Sequence, residues 1–487
     1  MKFVSTRSSE KVTGTDVILK GVSANGGLFV PEKFPTVSEE EMDAMLEMSY
    51  AERAAKILSK FFPELAKEIL SACESAYSSF GADDVAPLVR LDDGVYMLEL
   101  FHGPSCSYKD MSAFVLKNIL KAVAAEKKKI VVSSSAESGK SAMEAFKNED
   151  GFSALAFYSN ESLAKMQKIQ LGIQEGGNVL SEAVKGTPDA CASAVRDALA
   201  SSEIKTSAQE ASAELIYFSS QNFGVTALQT AYFFSAYADL LSSEQIEKGE
   251  EIDFVIPCGN LGNAISAFYA RKMGLPIRKI RCASNENSSL AEFLKTGRYT
   301  LAQELVRTTS PALDALFAHN CERLIYEVSG RDSKLTAKRM TQLKEEGNFS
   351  VTETEFKAIA EIFDAGSASE EDCVEAMYDV FVDTGYTMDT QTGCAMKVAV
   401  DFFEKNKKDE TKAVIVATAN PYKFPQDVLY AVTGNDVKDS FKGIKRLHAA
   451  TAMAVPKCLK ELRDKLPRFT KIIDKKKVPE EILNFIK

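Results

Sequence analysis

Two short stretches of this chain hold residue types that could do chemistry together. The first is the turn Gly259, Asn260, Leu261, Gly262, Asn263, set between the apolar run IDFVIP and the stretch AISAFYARKMG. Its two glycines let the backbone approach a ligand closely, and free N–H groups at a helix start favour an anion such as phosphate. It lacks the GxGxxG spacing of dinucleotide folds, and an ordinary strand-to-helix turn would read the same way. The second is Lys109 in GPSCSYKDMSAF, at the threshold of an amphipathic helix that the spacing starts near Met111. An amine there, flanked by Tyr108 and Met111, is placed for Schiff-base chemistry, although a solvated lysine beside an Asp110 helix cap would look the same.

Both stretches need parallel strands and crossover helices to hold them, and the surrounding pattern supplies these. Short apolar runs at 130–132, 215–218, 252–256 and 413–417 each lead into a polar loop, and the first three then into a longer helical pattern. In such folds ligands lie beyond the carboxyl ends of the strands. Residues 38–79 have helical spacing (Met42, Met45, Leu46, Ala51, Ala54, Ile57, Leu58), preceded by the turn-rich GGLFVPEKFP. We therefore expect an N-terminal domain over 1–94, ending at the turn Asp92, Asp93, Gly94. An α/β region in two lobes should fill 95–436, with linkers at 243–251 and 405–412. The Lys-rich 437–487, divided by Pro456 and Pro467, reads as a helical extension docked on the body.

Composition narrows the function. The 487 residues are 45% hydrophobic and 26% charged with a net charge of -10, which excludes disorder and gives no cationic surface for nucleic acid. Nine scattered cysteines without a CxxC pair point to reduced thiols. Three histidines, none at ligand spacing from another, argue against a metal site and a Ser-His-Asp triad. The amino terminus lacks an apolar signal region and no stretch has the length of a membrane span, so the expectation is a cytoplasmic protein with no membrane partner.

A phosphate cup and a reactive lysine on one doubly wound scaffold suggest pyridoxal 5'-phosphate, which has one phosphate and one aldehyde. At this point the chain resembles the threonine synthase family, pyridoxal-phosphate enzymes of the tryptophan-synthase-β-like fold. The motifs that carry the resemblance are STR at 5–7, GGLFVPE at 26–32, LFHGPSCSYKD at 100–110, CGNLGN at 258–263, YARKMGLPI followed by ASNEN, and SPALD at 310–314. The resemblance implies a carbon–oxygen lyase of threonine biosynthesis that eliminates phosphate from O-phosphohomoserine and adds water at Cβ. It implies that Lys109 holds the cofactor and moves protons, and that residues 259–263 cradle the cofactor phosphate. Thr418 in ATANPYKF would meet the pyridine nitrogen as a neutral hydroxyl. Ser134, Ser135, Glu137 and Ser138 stand in the loop that binds the substrate carboxylate, with Glu137 also on the cofactor side. Ser220 and Asn222 belong to a substrate segment, and Lys140 is a further candidate there. A serine-rich N-cap for the helix after Ser135 would also explain the first loop. The expected partner is a small amino-acid substrate, bound by a monomer or homodimer.

Departures from the family fall on the substrate side. Ala136 replaces a loop glycine, which costs about 1–2 kcal/mol if that position is left-handed. Glu137 replaces an aspartate, Asn420 and Gln391 replace histidines, and Val225 stands where an arginine is expected to grip the substrate phosphate. Charge-assisted hydrogen bonds contribute about 1.5–3 kcal/mol each, so losing a bidentate pair weakens phosphate recognition at least about a hundredfold. Two other readings stay open: a paralogue acting on another amino acid by elimination or replacement at the β or γ carbon, and a non-catalytic family member.

Overall fold

The computed structural model describes residues 1–82, 84–123 and 126–486. Its strands gather into two main sheets. The six-stranded sheet runs in the order Phe363–Ser367, Ile277–Ser284, Ile252–Pro257, Ala413–Ala417, Val95–Glu99, Leu88–Asp92. Its neighbours pair in parallel except at the edge, where Leu88–Asp92 folds back on Val95–Glu99 through a turn at Gly94 with φ +80°. The five-stranded sheet runs Ile472–Ile473, Val179–Val184, Phe152–Ser159, Lys128–Ser133, Ala213–Tyr217, parallel throughout.

The inner strands are apolar in succession because helices cover both faces. Alternation then sorts their side chains. Phe254, Ile256, Val414 and Val416 enter one core, and Met97, Val255, Ile415 and Ala417 another. In the second sheet Val131 and Ala154 join the first of these cores, whereas Ile130, Val132, Leu155 and Phe157 form a third. One core is therefore continuous across both lobes.

In the N-terminal region Lys2–Ser5 pairs antiparallel with Lys11–Thr13 and with Phe29–Pro31. The helical pattern over 38–79 is broken into Glu39–Met45, Tyr50–Phe61 and Ala66–Tyr77. Ser38 and Ser49 start the first two through capping boxes with Glu41 and Glu52, and Pro63 opens a 3-10 turn before the third. Tyr50–Phe61 packs on the buried helix Phe223–Ser242.

Strand pairing qualifies the sequence reading at one boundary and in the make-up of the C-terminal segment. Leu88–Asp92 already belongs to the six-stranded sheet, so a division by sheets falls before residue 88. The C-terminal segment is more than helical: after Ser440–Thr451, Ile472–Ile473 adds an edge strand to the five-stranded sheet, and Val478–Ile486 packs Val478, Ile482 and Ile486 into the third core. Two apolar residues in a Lys-rich stretch are too short a run for periodicity to reveal. Among the described residues no helix is long and apolar enough to cross a membrane.

Phe254 is fully buried, with the Phe233 ring edge-on at 4.9 Å. Phe254→Ala should destabilise the chain by about 3–5 kcal/mol, read as a lower midpoint of urea unfolding.

Candidate active site

Lys109 is the last residue of the loop between Val95–Glu99 and the helix Asp110–Val123. A buried carboxylate holds this loop. Asp110 accepts the Ser105 amide at 2.7 Å and the Ser105 hydroxyl at 2.6 Å, and Ser105 Oγ meets Ser141 Oγ at 2.8 Å. Burial pushes the Asp110 carboxyl up from its ordinary value, and the hydrogen bonds from Ser105 and Ser141 hold it back. The loop is also stitched to the end of Ala413–Ala417. The Leu100 amide donates to Ala417 O at 3.0 Å, the Tyr108 amide to Thr418 O at 2.9 Å, and the Asn420 amide to Cys106 O at 3.1 Å. Lys109 is left 6% exposed, its Nζ 4.3 Å from the centroid of the Tyr108 ring.

The glycine turn joins Ile252–Pro257 to the helix Gly262–Lys272. The amides of Gly259, Asn260 and Leu261 have no backbone acceptor among the described residues. Leu261 is left-handed at φ +62°, a conformation that costs a non-glycine residue about 1–2 kcal/mol. A Cβ on Gly259 would stand 2.7 Å from Ala312 O, and one on Gly262 would stand 2.6 Å from Ser220 Oγ. Both glycines are needed for these neighbours to close on the turn. Asn263 accepts from the Tyr232 hydroxyl, while its Nδ2 is buried without a partner.

The serine loop follows Lys128–Ser133. Ser135 Oγ caps the helix Ala136–Phe146 by accepting the Ser138 amide at 3.4 Å, and Ser134 Oγ meets Tyr217 Oη at 2.7 Å. Ala136 is the first residue of that helix and is not left-handed, so the strain expected from the missing glycine is not incurred. Glu137 accepts from Lys423 Nζ at 2.7 Å and from Gln167. Burial opposes its ionisation, but the Lys423 ammonium and these hydrogen bonds prevail and hold the carboxyl below its usual value.

These loops line one cleft together with residues 311–315. Lys109, Ser134, Ser135, Glu137, Ser138 and Thr418 share its wall with Ser220 and the whole turn 259–263. Thr418 Oγ1 donates to Gln391 Oε1 at 3.2 Å, and Gln391 Nε2 is buried without a partner. Two candidates stand elsewhere. Lys140 turns to Glu144, at 2.9 Å, and to Gln174. Asn222 is fully buried as the cap of Phe223–Ser242, accepting the Gly224 amide at 2.9 Å and donating to Ile18 O at 2.8 Å. Val225 is 1% exposed within that helix and does not line the cleft. Asn420 caps the 3-10 turn Pro421–Lys423.

The sequence reading missed Lys423, although it lies in the same PYKF segment as the Thr418 motif. It also missed Arg323, which has no local signal. Arg323 is fully buried and donates to Ser220 O and Gln221 O, both at 2.8 Å, and to Phe29 O at 3.2 Å.

Two family models match the chain: threonine synthase N terminus over residues 2–77, and threonine synthase, C-terminal, over 392–482. Threonine synthase-like 1 of Homo sapiens is 30% identical over 462 residues, covering 90% of this chain but only 62% of the human protein, so the chain spans less than two thirds of that relative. Threonine synthase of Methylobacillus glycogenes is 29% identical, covering 89% of this chain and 92% of its own. The crystal structure of PLP-bound threonine synthase from Brucella melitensis superposes with a TM-score of 0.85 at 27% identity, covering 100% of both chains. That of yeast threonine synthase gives 0.84 at 25%, covering 100% of this chain and 98% of the yeast one.

Lys423→Met should strand the Glu137 carboxylate and destabilise the chain by about 3–5 kcal/mol at neutral pH. Because the folded carboxyl sits below its ordinary 4.5, the pair's contribution is present above that pH and lost as pH falls through the lower folded value. The gap in urea midpoint between variant and parent should therefore narrow on acidification.

Proposed function

We propose, from the premise that this chain belongs to the threonine synthase family, that it is a pyridoxal-phosphate-dependent lyase converting O-phosphohomoserine and water to threonine and phosphate. The observation that carries this reading is that one cleft unites the Lys109 amine, the glycine turn and the serine loop.

The residues present suit the cofactor. Three consecutive amides without backbone acceptors, two glycines that tolerate no Cβ and an orphaned Asn263 Nδ2 make a cradle for a phosphate monoester. When bound, pyridoxal phosphate supplies an aldehyde that captures amines and an electron-poor ring that delocalises charge released at the neighbouring carbon. Lys109 Nζ would hold it and is the amine placed to carry protons to and from the substrate's Cα and Cβ. Ser134, Ser135 and Ser138 bring donors to the substrate carboxylate at the positive end of Ala136–Phe146. Thr418 would offer the ring nitrogen a neutral hydroxyl in exchange for its hydrogen bond to Gln391 Oε1, and such a hydroxyl would not hold the nitrogen protonated. Ser220 Oγ accepts from Asn320 Nδ2 at 2.9 Å and Asn260 Nδ2 at 3.3 Å, so its own proton is free for the substrate's distal group. The same reading places the enzyme in the cytoplasm.

A specific observation favours a second reading. No arginine lines the cleft among the described residues. A paralogue acting on another activated amino acid would need none.

Phosphate release measured from O-phosphohomoserine, beside O-phosphoserine and O-acetylated amino acids, separates the two. We expect release from the first with threonine as product, and turnover of another substrate alone would select the paralogue. Borohydride reduction should label Lys109, and Lys109→Ala should lose both the label and turnover. Gly259→Ala, whose Cβ meets Ala312 O, should weaken cofactor affinity at least about tenfold, equivalent to ~1.4 kcal/mol, in a titration followed by absorbance.

A further inference from the structure

Eight of the nine cysteines are buried, and Cys458 is partly exposed. Its Sγ lies 3.2 Å from Sγ of Cys106. The two residues come from distant parts of the chain. Cys106 is in the loop that carries Lys109, and Cys458 is in the short helix Lys457–Lys460 of the C-terminal segment. We propose that these thiols are an oxidation site, at which a small-molecule disulfide such as oxidised glutathione joins Cys106 to Cys458 and so fastens the C-terminal segment to the Lys109 loop.

Proximity comes first: the sulfurs need to approach by only about 1 Å to reach the ~2.05 Å of a disulfide. Access comes second, because Cys458 is the partly exposed residue of the pair. Polarity comes third. The hydrogen bond from the Cys106 thiol favours the thiolate on Cys458, burial opposes it, and nearby Lys140 adds to the first effect, so the Cys458 thiol lies below its ordinary value. The same hydrogen bond and burial push Cys106 up. Cys458 is accordingly the attacking thiol and Cys106 the resolving one. The Cys458 thiolate attacks one sulfur of the small disulfide and expels the first small thiolate. Cys106 then gives up its proton, attacks Cys458 Sγ and expels the second. The protein loses two hydrogens, and the small disulfide is reduced to two thiols.

What the bond would do follows from its ends. Cys106 is left-handed at φ +62°, donates its amide to Gly103 O at 2.9 Å and accepts the Asn420 amide at 3.1 Å. Its loop is already tied to the strand end that carries Thr418. A disulfide would add a covalent tie to the C-terminal segment across 352 positions of sequence, and the segment 103–109 would lose freedom. A second pair serves as an internal control. Cys373 and Cys394 stand closer, at 3.0 Å, but are 3% and 0% exposed, so an oxidant has no route to them in the folded chain.

The full chain should be treated with oxidised glutathione at neutral pH and mapped by mass spectrometry without reduction. We expect one disulfide, between Cys106 and Cys458, and slower amide hydrogen exchange over 103–109, both reversed by dithiothreitol. Cys106→Ser should trap one glutathione on Cys458, and Cys458→Ser should leave both positions unmodified. Glutathione retained on Cys458 in the parent chain, or a link between Cys373 and Cys394 in place of the expected one, would overturn the site. Unchanged exchange over 103–109 in the linked chain would overturn the fastening. None of these readouts depends on the reaction proposed above.

Discussion

A single buried ion pair sets the geometry on which the cleft depends. Lys423 and Glu137, with side chains 1% and 9% exposed, meet at 2.7 Å. They come from different sheets: Glu137 opens a helix of the five-stranded lobe, and Lys423 follows the strand Ala413–Ala417 of the other. Lys423 also reaches Ser105 O in the Lys109 loop at 3.4 Å. Removing two charges from water costs several kcal/mol per ion, and attraction offsets this only when the remaining valences are satisfied. Here Gln167 and Ser105 help to satisfy them. The pair is therefore better understood as a register pin than as a source of stability. Three loops on two sheets can meet around it in one arrangement, because any other leaves a buried charge alone.

What was legible in the sequence follows from the range of each signal. The strand-turn-helix at 252–272 and Lys109 at a helix start are local patterns, and their partners in the cleft lie at neighbouring strand ends, where a parallel fold collects its loops. The parallel scaffold could be read because buried strands are apolar on both faces. Lys423 was within a segment already singled out, yet nothing local separates a buried lysine from a solvated one. Its role depends on Glu137, nearly three hundred positions away. The edge strand Ile472–Ile473 is defined only by its partner Val179–Val184.

Two positions where the sequence departs from the family pattern show how backbone conformation and side-chain direction escape a reading by position. A glycine replaced by Ala136 predicts strain only if the backbone there is left-handed, but the chain opens a helix at that point and alanine suits a helix well. Val225 is buried in the core, and the arginine contact that the family pattern leads one to expect at this position has no counterpart in the cleft lining among the described residues. A guanidinium does reach the same segment, from Arg323 on another helix, but its donors are taken by Ser220 O, Gln221 O and Phe29 O. It shapes the segment 219–222 from behind and leaves the cleft face to hydroxyls.

The proposed ligands are anions, whereas the chain carries a net charge of -10 and three carboxylates line the cleft: Glu137, Asp189 and Asp314. An unpaired carboxylate some 4 Å from a bound anion would repel it by about 4 kcal/mol at an effective dielectric near 20. That exceeds the roughly 1.5–3 kcal/mol of one charge-assisted hydrogen bond, so the site can hold an anion only if its own acids are occupied. They are. Glu137 faces Lys423, Asp189 accepts the amides of Leu316 and Phe317 at 3.2 Å each, and Asp314 accepts Thr308 Oγ1 at 2.7 Å and Asn285 Nδ2 at 2.9 Å. Burial also pushes the Asp189 and Asp314 carboxyls up, toward the neutral form. With the acids paired inward, the wall presents uncommitted donors: the amides of Gly259, Asn260 and Leu261, Nδ2 of Asn263 and the hydroxyl proton of Ser220.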